Sequence, residues 1–527
     1  MDRGTQATLP CSLEQNAGGA MKWLLVGVLC GSVQVMPAQP TQGWMYTYDD
    51  SVRTNGISSV VIEPDSGYVF INITFLSNPG RSTWTRVSED GVHESSVLLR
   101  DTIGGFQGGG SHSVERRDDG SLWFAGGRVY FTGTQPDGQL ICFDEHGDTL
   151  WTQRYGGPGF EALNGLALTS DGGALAAGVR QTTQSDAYAV RVDANGDTLW
   201  TRTYGGPNTT ENAFCARPTP DGGFILGGFQ VLPGNDYEML LLKLDSAGNL
   251  EWQEHYGSPW VDNAAFVEVL PQGGYIMAGG ERLSATAQKR PALYRLDDQG
   301  TEIWSVVYDE EPDRSVLFTV PVHMEDGGFA VAGDRNYGSQ THGLLLRTDS
   351  LGSMLWKRTY STNAVRDHYI YDLRRTLDGG FIMAGTAWDS LLVSQDAWLI
   401  KTDSFGCLVP GCQIFDGLQE QLTDLSASLA IYPNPAQDHV NVRLELPATL
   451  RVQGPLRLAV TSLDGRLVHE RQVPLTFGPV PTASDRRSLA KAANCQLPTA
   501  SWPSGTYFVH LLEGTRWLAG GKVVVSR

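Results

Sequence analysis

Trp200-Thr-Arg-Thr-Tyr204-Gly-Gly-Pro207, then Asn212-Ala-Phe-Cys-Ala-Arg-Pro218, then Asp221-Gly-Gly-Phe-Ile-Leu-Gly-Gly-Phe229, then Leu240-Leu-Leu-Lys-Leu-Asp245-Ser-Ala-Gly248, and finally Trp252 make one complete phrase of this chain. Each apolar or alternating run is short enough for a strand and stops at a turn. Asp tolerates tight-turn geometry and Gly supplies positive φ, so Asp-Gly-Gly and Asp-x-x-Gly read as hairpins. The phrase therefore predicts four antiparallel strands.

The phrase recurs. Asp-Gly-Gly or a variant stands at Asp65, Asp119, Asp171, Asp221, Gln272, Asp326 and Asp378, at spacings of 50 to 54 residues. Asp-x-x-Gly-x-x-x-Trp keeps phase with it, ending at Trp151, Trp200, Trp252, Trp304 and Trp356. A fixed period of this length marks an array of one supersecondary unit. Seven four-stranded copies predict an all-β chain with a seven-bladed β-propeller over residues 43–406. The array ends at Trp398-Leu-Ile-Lys-Thr-Asp403, a fourth strand with no Trp strand after it, whereas Trp44-Met-Tyr-Thr-Tyr48 stands alone at the other end. Pairing these two would remove an open sheet edge. In the copy after Asp65, Ser95 or Ser96 stands where Trp is expected.

Bulk composition narrows the partners. Hydrophobic content of 41% and charge of 18% describe a folded chain of 527 residues, too long for a single core. A net charge of −19 opposes nucleic acid and anionic membrane surfaces. Residues 1–20 read as an upstream extension before a true start at Met21. Residues 21–38, with the apolar run Trp23–Val35 and Met36-Pro37-Ala38 behind it, read as a secretory signal peptide. Leu29 before Cys30 is too large for a lipid-anchor motif, and no later segment is apolar enough for a membrane helix. In an oxidising compartment Cys407 and Cys412 read as a disulfide clip opening a linker, residues 407–428.

Asp-x-x-Gly-x-x-x-Trp resembles the tryptophan-docking repeat of quinoprotein-like propellers. The resemblance implies that Trp151, Trp200, Trp252, Trp304 and Trp356 pack between neighbouring blades. The quinone pocket and calcium ligands of that superfamily's dehydrogenases have no matching set here.

Residues 429–527 change pattern to short strands split by Asp-Gly and Ser-Gly turns, predicting a small β-sandwich. Tyr-Pro433-Asn434-Pro435, Asp464-Gly465, Gly505-x-Tyr507 and Gly-Lys522 occur in the order seen in the C-terminal sorting domain of type IX secretion substrates, which this tail resembles. The resemblance implies the type IX machinery as partner, crossing of the outer membrane, and removal of the tail with release or surface attachment. Residues 474–496 read as an insertion in that module.

Residues shared by every copy are scaffold first, so candidate sites come from the crossings. Glu161, Glu211, Asp262, Asp313 and Asp367 fall in register there, either as an acidic ring suited to calcium or as local caps of their own loops. No other cofactor is expected. Trp260, Arg282, Arg290, Glu310, Glu311, Arg314 and Trp388 are not repeated and suit a glycan or protein ligand. Among the histidines, His112, His323, His342 and His368 stand in no recognisable catalytic spacing. The sequence thus reads as an exported, non-catalytic binding module. An extracellular polysaccharide lyase or hydrolase, or a structural scaffold, is the alternative.

Overall fold

The computed structural model describes residues 43–48, 55–74, 81–99, 104–130, 136–157, 159–234, 236–260, 262, 265–284, 287–308, 315–317, 319–337, 340–362, 366–389, 394–409, 412, 422–423, 429–446, 454–463, 466–473, 476–477, 491–514 and 516–527. The expected extension and expected signal peptide, together with Glu310, Glu311, Asp313, Arg314, Asp464 and Gly465, lie outside them.

Within the described residues the array forms seven antiparallel sheets, numbered here along the chain. Sheet 3 is typical. From the inside outwards it runs Phe160–Leu168, Ala174–Gln181, Ser185–Val192 and Thr198–Tyr204. Sheet 4 repeats it with Thr210–Pro218, Phe224–Leu232, Asp236–Leu244 and Leu250–Tyr256. The innermost strands of successive sheets pack against one another, except that Ser315–Leu317 of sheet 6 packs on the second and third strands of sheet 5, and Asn55–Ile62 of sheet 1 packs on Asp367–Arg375 of sheet 7, so the ring closes. The two ends of the array also share a sheet. Trp44–Tyr48 supplies the outer strand of sheet 7, with Trp44 opposite Lys401 and Tyr48 opposite Ala397.

In five of the inner hairpins the Asp is held by a cation from the third strand, whereas in sheet 2 Asp119 pairs with Arg117 of the hairpin itself. Arg191 bonds Asp171 at 2.5 Å, Lys243 bonds Asp221 at 2.8 Å, and Lys401 bonds Asp378 at 2.7 Å. Where the copy has Gln272, Arg295 turns to the carbonyl of Gly273 instead.

The outer hairpins carry the contact between sheets. The indole of Trp200 lies over Gly248 of the next sheet, where a Cβ would come within 2.9 Å of the ring. Trp151 covers Gly196, Trp252 covers Gly300, Trp304 covers Gly352, Trp356 covers Gly406, and Trp44 covers Gly91. Those glycines hold positive φ, from 70° to 84°, so both backbone and space demand Gly. Four residues beyond each Trp a tyrosine donates its hydroxyl to the same glycine's carbonyl, as Tyr204 does to Gly248 at 2.7 Å and Tyr155 to Gly196 at 3.0 Å. In sheet 1, which lacks the expected Trp, Trp84 fills the place from the neighbouring strand. It stands opposite Val97 and its ring covers Gly147.

Residues 429–527 form two facing sheets over one buried core that includes Val442, Leu458, Leu497, Val509 and Leu518. The first contains Leu429–Tyr432, His439–Leu446, Lys491–Pro498 and Thr476–Phe477. The second contains Leu467–Val473, Leu456–Ser462, Gly505–Glu513 and Arg516–Val525. The insertion expected over residues 474–496 is corrected in part. Residues 491–496 belong to a strand paired along its length with His439–Leu446, because Ala493, Cys495 and Leu497 alternate inwards. The expected linker is also partly structured: Cys407 and Cys412 are bonded and buried, and Leu422–Thr423 joins a sheet.

Candidate functional site

The innermost strands share a device. Register slips by a residue or more between Ile57 and Val60, Leu163 and Gly165, Ala213 and Cys215, and Ile370 and Asp372, so each bulges at about the same height. Bulges re-aim side chains. In sheets 2 and 6 the inner strand is split instead, in sheet 6 into Ser315–Leu317 and Val322–His323 and in sheet 2 into Gly104–Gly108 and Val114–Arg116, with His112 between the latter pair at φ 56°.

That interruption meets a buried carboxylate. Asp372 of sheet 7 accepts Ser59 Oγ and the Val60 amide of sheet 1 at 3.0 Å, and Ser111 Oγ of sheet 2 at 3.0 Å. His112 Nδ1 lies 2.9 Å from it and Arg374 Nε 3.4 Å. Arg374 reaches on to Glu115 at 3.0 Å and to the Val114 carbonyl at 2.8 Å. One unrepeated cluster thus ties three sheets together. A second pair, Arg217 with Glu268 at 2.6 Å, joins the inner strands of sheets 4 and 5. Aligned on their hairpin Asp or Gln272, Glu115, Arg217, Glu268 and Arg374 occupy one position, where the other copies have Val61, Ala167 and Val322.

Electrostatics set the protonation here. Burial alone would raise Asp372, but His112, Arg374 and the hydrogen bonds outweigh it and hold the carboxyl well below the usual range. Burial and then Arg374 lower His112, favouring the neutral ring. A neutral His112 with Nδ1–H on Asp372 leaves Nε2 as its basic nitrogen. The side chain is 13% exposed.

On the opposite, crossing-loop side three of the acids bond within their own copy and Asp367 reaches the neighbouring sheet 6. Glu161 is an ion pair with Arg180 at 3.1 Å and accepts the Gly157 amide. Glu211 accepts Gln230 at 2.5 Å. Asp262 accepts the Ser258 amide at 2.6 Å, Ser258 Oγ at 3.0 Å and the Arg282 amide at 3.0 Å, while burial pushes its pKa up to about 6. Asp367 accepts the Thr341 amide at 2.7 Å. Among the described residues no group of three or more His, Cys, Asp or Glu side chains is placed to hold a metal.

Trp260 is 40% exposed and Trp388 38%. Trp260 sits in the turn that Ser258 and Asp262 fasten; Trp388 lies in sheet 7 opposite Asp367 and Gln395. Arg282 ends the second strand of sheet 5, across from Lys289, and buried Arg290 stands across from Glu281. Trp260 stands in the crossing between sheets 4 and 5 and Trp388 in sheet 7, so sheets 5 and 6 lie between them along the ring. Sequence reading missed Asp372, Ser111, Arg374, Glu115 and the docking tyrosines. Alignment of the copies on their hairpins would have exposed the four charged positions.

In the tail, Asn434 clamps the last strand, accepting the Val524 amide at 2.8 Å and donating to the Lys522 carbonyl at 3.0 Å. Its neighbours Pro433 and Pro435 follow cis peptide bonds, and Ala436 bridges to Val525. Gly505 opens the strand in which Tyr507 is buried, its hydroxyl on the Pro503 carbonyl at 2.7 Å.

Family comparison agrees with this division. Residues 430–526 match the model described as secretion system C-terminal sorting domain, and residues 73–290 match the one described as outer membrane protein assembly factor BamB. No curated protein matches the chain. Solved structures similar to it include a protein of unknown function from Bacteroides caccae, 15% identical, with 52% of this chain and 88% of that one covered at a TM-score of 0.35. The Pan2 WD40 domain of Neurospora crassa is 11% identical, covering 69% and 96% at 0.43. Virginiamycin B lyase from Staphylococcus aureus is 10% identical, covering 68% and 100% at 0.43. The chain is a β-propeller protein with a type IX C-terminal sorting domain, exported to the cell surface or the extracellular space.

Proposed function

We propose that the propeller is a binding module for a glycan, engaged on the crossing-loop side. The observation that carries this reading is the exposure of Trp260 and Trp388 outside the repeat pattern. Indole faces stack on the apolar faces of sugar rings, and their exposure costs stability that a ligand would recover. The Arg282 amide fastens to Asp262 in the turn that carries Trp260. The test is a screen of the mature protein against soluble polysaccharides, with calcium and with chelator. Binding lost in Trp260→Ala and Trp388→Ala supports the reading. Binding unchanged in both variants, or capture of protein partners only, sinks it. Loss with chelator would give the loop acids a metal.

A second reading is favoured by His112 and Asp372. A neutral imidazole fastened at Nδ1 by a carboxylate has the form of a general base, so the inner strands would hold a lyase or hydrolase centre. Product release in the same screen, abolished by His112→Ala, is what that reading requires.

A further inference from the structure

The core beneath the last repeats continues into the sorting domain. Tyr360 of sheet 6 and Trp398 of sheet 7, Cys407 and Val409 of the bonded loop, and Phe508 and Trp517 of the tail belong to one buried cluster. Val409 lies directly against the tail: a Cβ at Gly520 would come within 2.6 Å of Val409 Cγ2 and 2.9 Å of the Trp517 ring. The absence of a side chain at 520 is what admits Val409. Backbone pairing runs alongside. Leu422–Thr423 pairs in parallel with Tyr360 and Ser361 on the outer edge of sheet 6, and Leu422 pairs with Trp517 on its other side. The outer edge of sheet 6 therefore continues into the tail's sheet.

We propose that this surface is a docking site for the chain's own sorting domain, and that it holds the domain in place after the connection between Cys412 and Leu422 is cut. Removal of the tail then takes two steps, cleavage and release. The reason is that a cut leaves the contacts intact and removes only the effective concentration of a tethered partner. A contact centred on desolvated aromatic anchors retains binding without a tether. The Cys407–Cys412 bond fixes the loop that presents Val409, so the docking pad is complete only when both cysteines are oxidised.

The experiment places a specific protease site within residues 415–420 of the full mature chain. After complete cutting, the protein is run at about 10 µM on gel filtration with light scattering, a concentration suited to modest interfaces. One species with the mass of both fragments, one of each, is expected. Fragments that elute apart overturn the proposal, and a two-to-two mass overturns one-to-one docking in favour of a swapped pair. Val409→Asp buries a carboxylate in the pad and is expected to weaken association at least about 100-fold. Should that variant fail to fold, Cys407→Ser with Cys412→Ser is the second variant. Hydrogen exchange of the uncut wild type is independent of both: protection at Tyr360 and Ser361 is expected, and rapid exchange there counts against the docking.

Discussion

Replacing Asp372 by Asn removes a charge and leaves the shape. The carboxylate is wholly buried and receives Ser59, Val60, Ser111, His112 and Arg374. In the Asp372→Asn variant one oxygen becomes an NH2 that faces donors, and Arg374 keeps only Glu115 as an opposite charge. Breaking a buried pair from one side costs about 3–5 kcal/mol, which is the loss we predict at pH 7. The pH dependence is sharper. A carboxyl held below its unfolded value contributes stability that is full above about pH 3.9 and lost as pH falls. The wild type should thus lose about 1.4 kcal/mol per pH unit below 3.9 that Asp372→Asn does not. Over roughly pH 4 to 2 the gap between the two proteins should close by about 3 kcal/mol. Urea unfolding of both proteins at a series of pH values measures it. A gap that stays constant down to pH 2.5, or a variant as stable as wild type at pH 7, refutes the buried ionised carboxylate.

Three further outcomes follow from the same geometry. Trp84→Ala should cost about 3–5 kcal/mol, like other large core truncations, although Trp84 lies off the repeat's Trp position; calorimetry distinguishes this from the negligible loss expected of a spare ring. Gly147→Ala should destabilise clearly, since φ is 86° and the new Cβ would lie 2.6 Å from the Trp84 ring, and a melting temperature equal to wild type would contradict that packing. Asp262, raised to about 6, contributes stability that is full below about pH 3.9 and lost as pH rises through 6; between those values wild type should lose up to about 1.4 kcal/mol per unit relative to Asp262→Asn, and parallel pH curves would show the carboxyl is not perturbed.

What the sequence could and could not display follows from the range of each interaction. Strands and hairpins were legible because Asp and Gly punctuate them within a few residues, and the paired ends because Trp44–Tyr48 repeats the phrase of Trp200–Tyr204. Asp372 was not legible, since Ser59 lies 313 residues away and Ser111 lies 261. Trp84 was hidden for a different reason: the missing indole is supplied by a cross-strand neighbour, and a search along one phase cannot see across a ladder. The strand Lys491–Pro498 was obscured by the polar residues around it, although every second side chain from Ala493 faces inwards. The acids of the crossings recur with the repeat, and recurrence alone cannot separate a shared ring from hydrogen bonds made once per copy.

The strand that seals sheet 7 is also the first part of the propeller to be made. Trp44–Tyr48 has no partner until Ser394–Thr402 exists, at the far end of the array. Nearly the whole propeller must therefore be synthesised before its circle can shut, and until then both terminal edges are unpaired. Joining segments so distant in sequence pays its loop-closure entropy before any contact rewards it, which makes sealing a late and slow event. A chain arranged in this way completes its ring only once its last repeat is available.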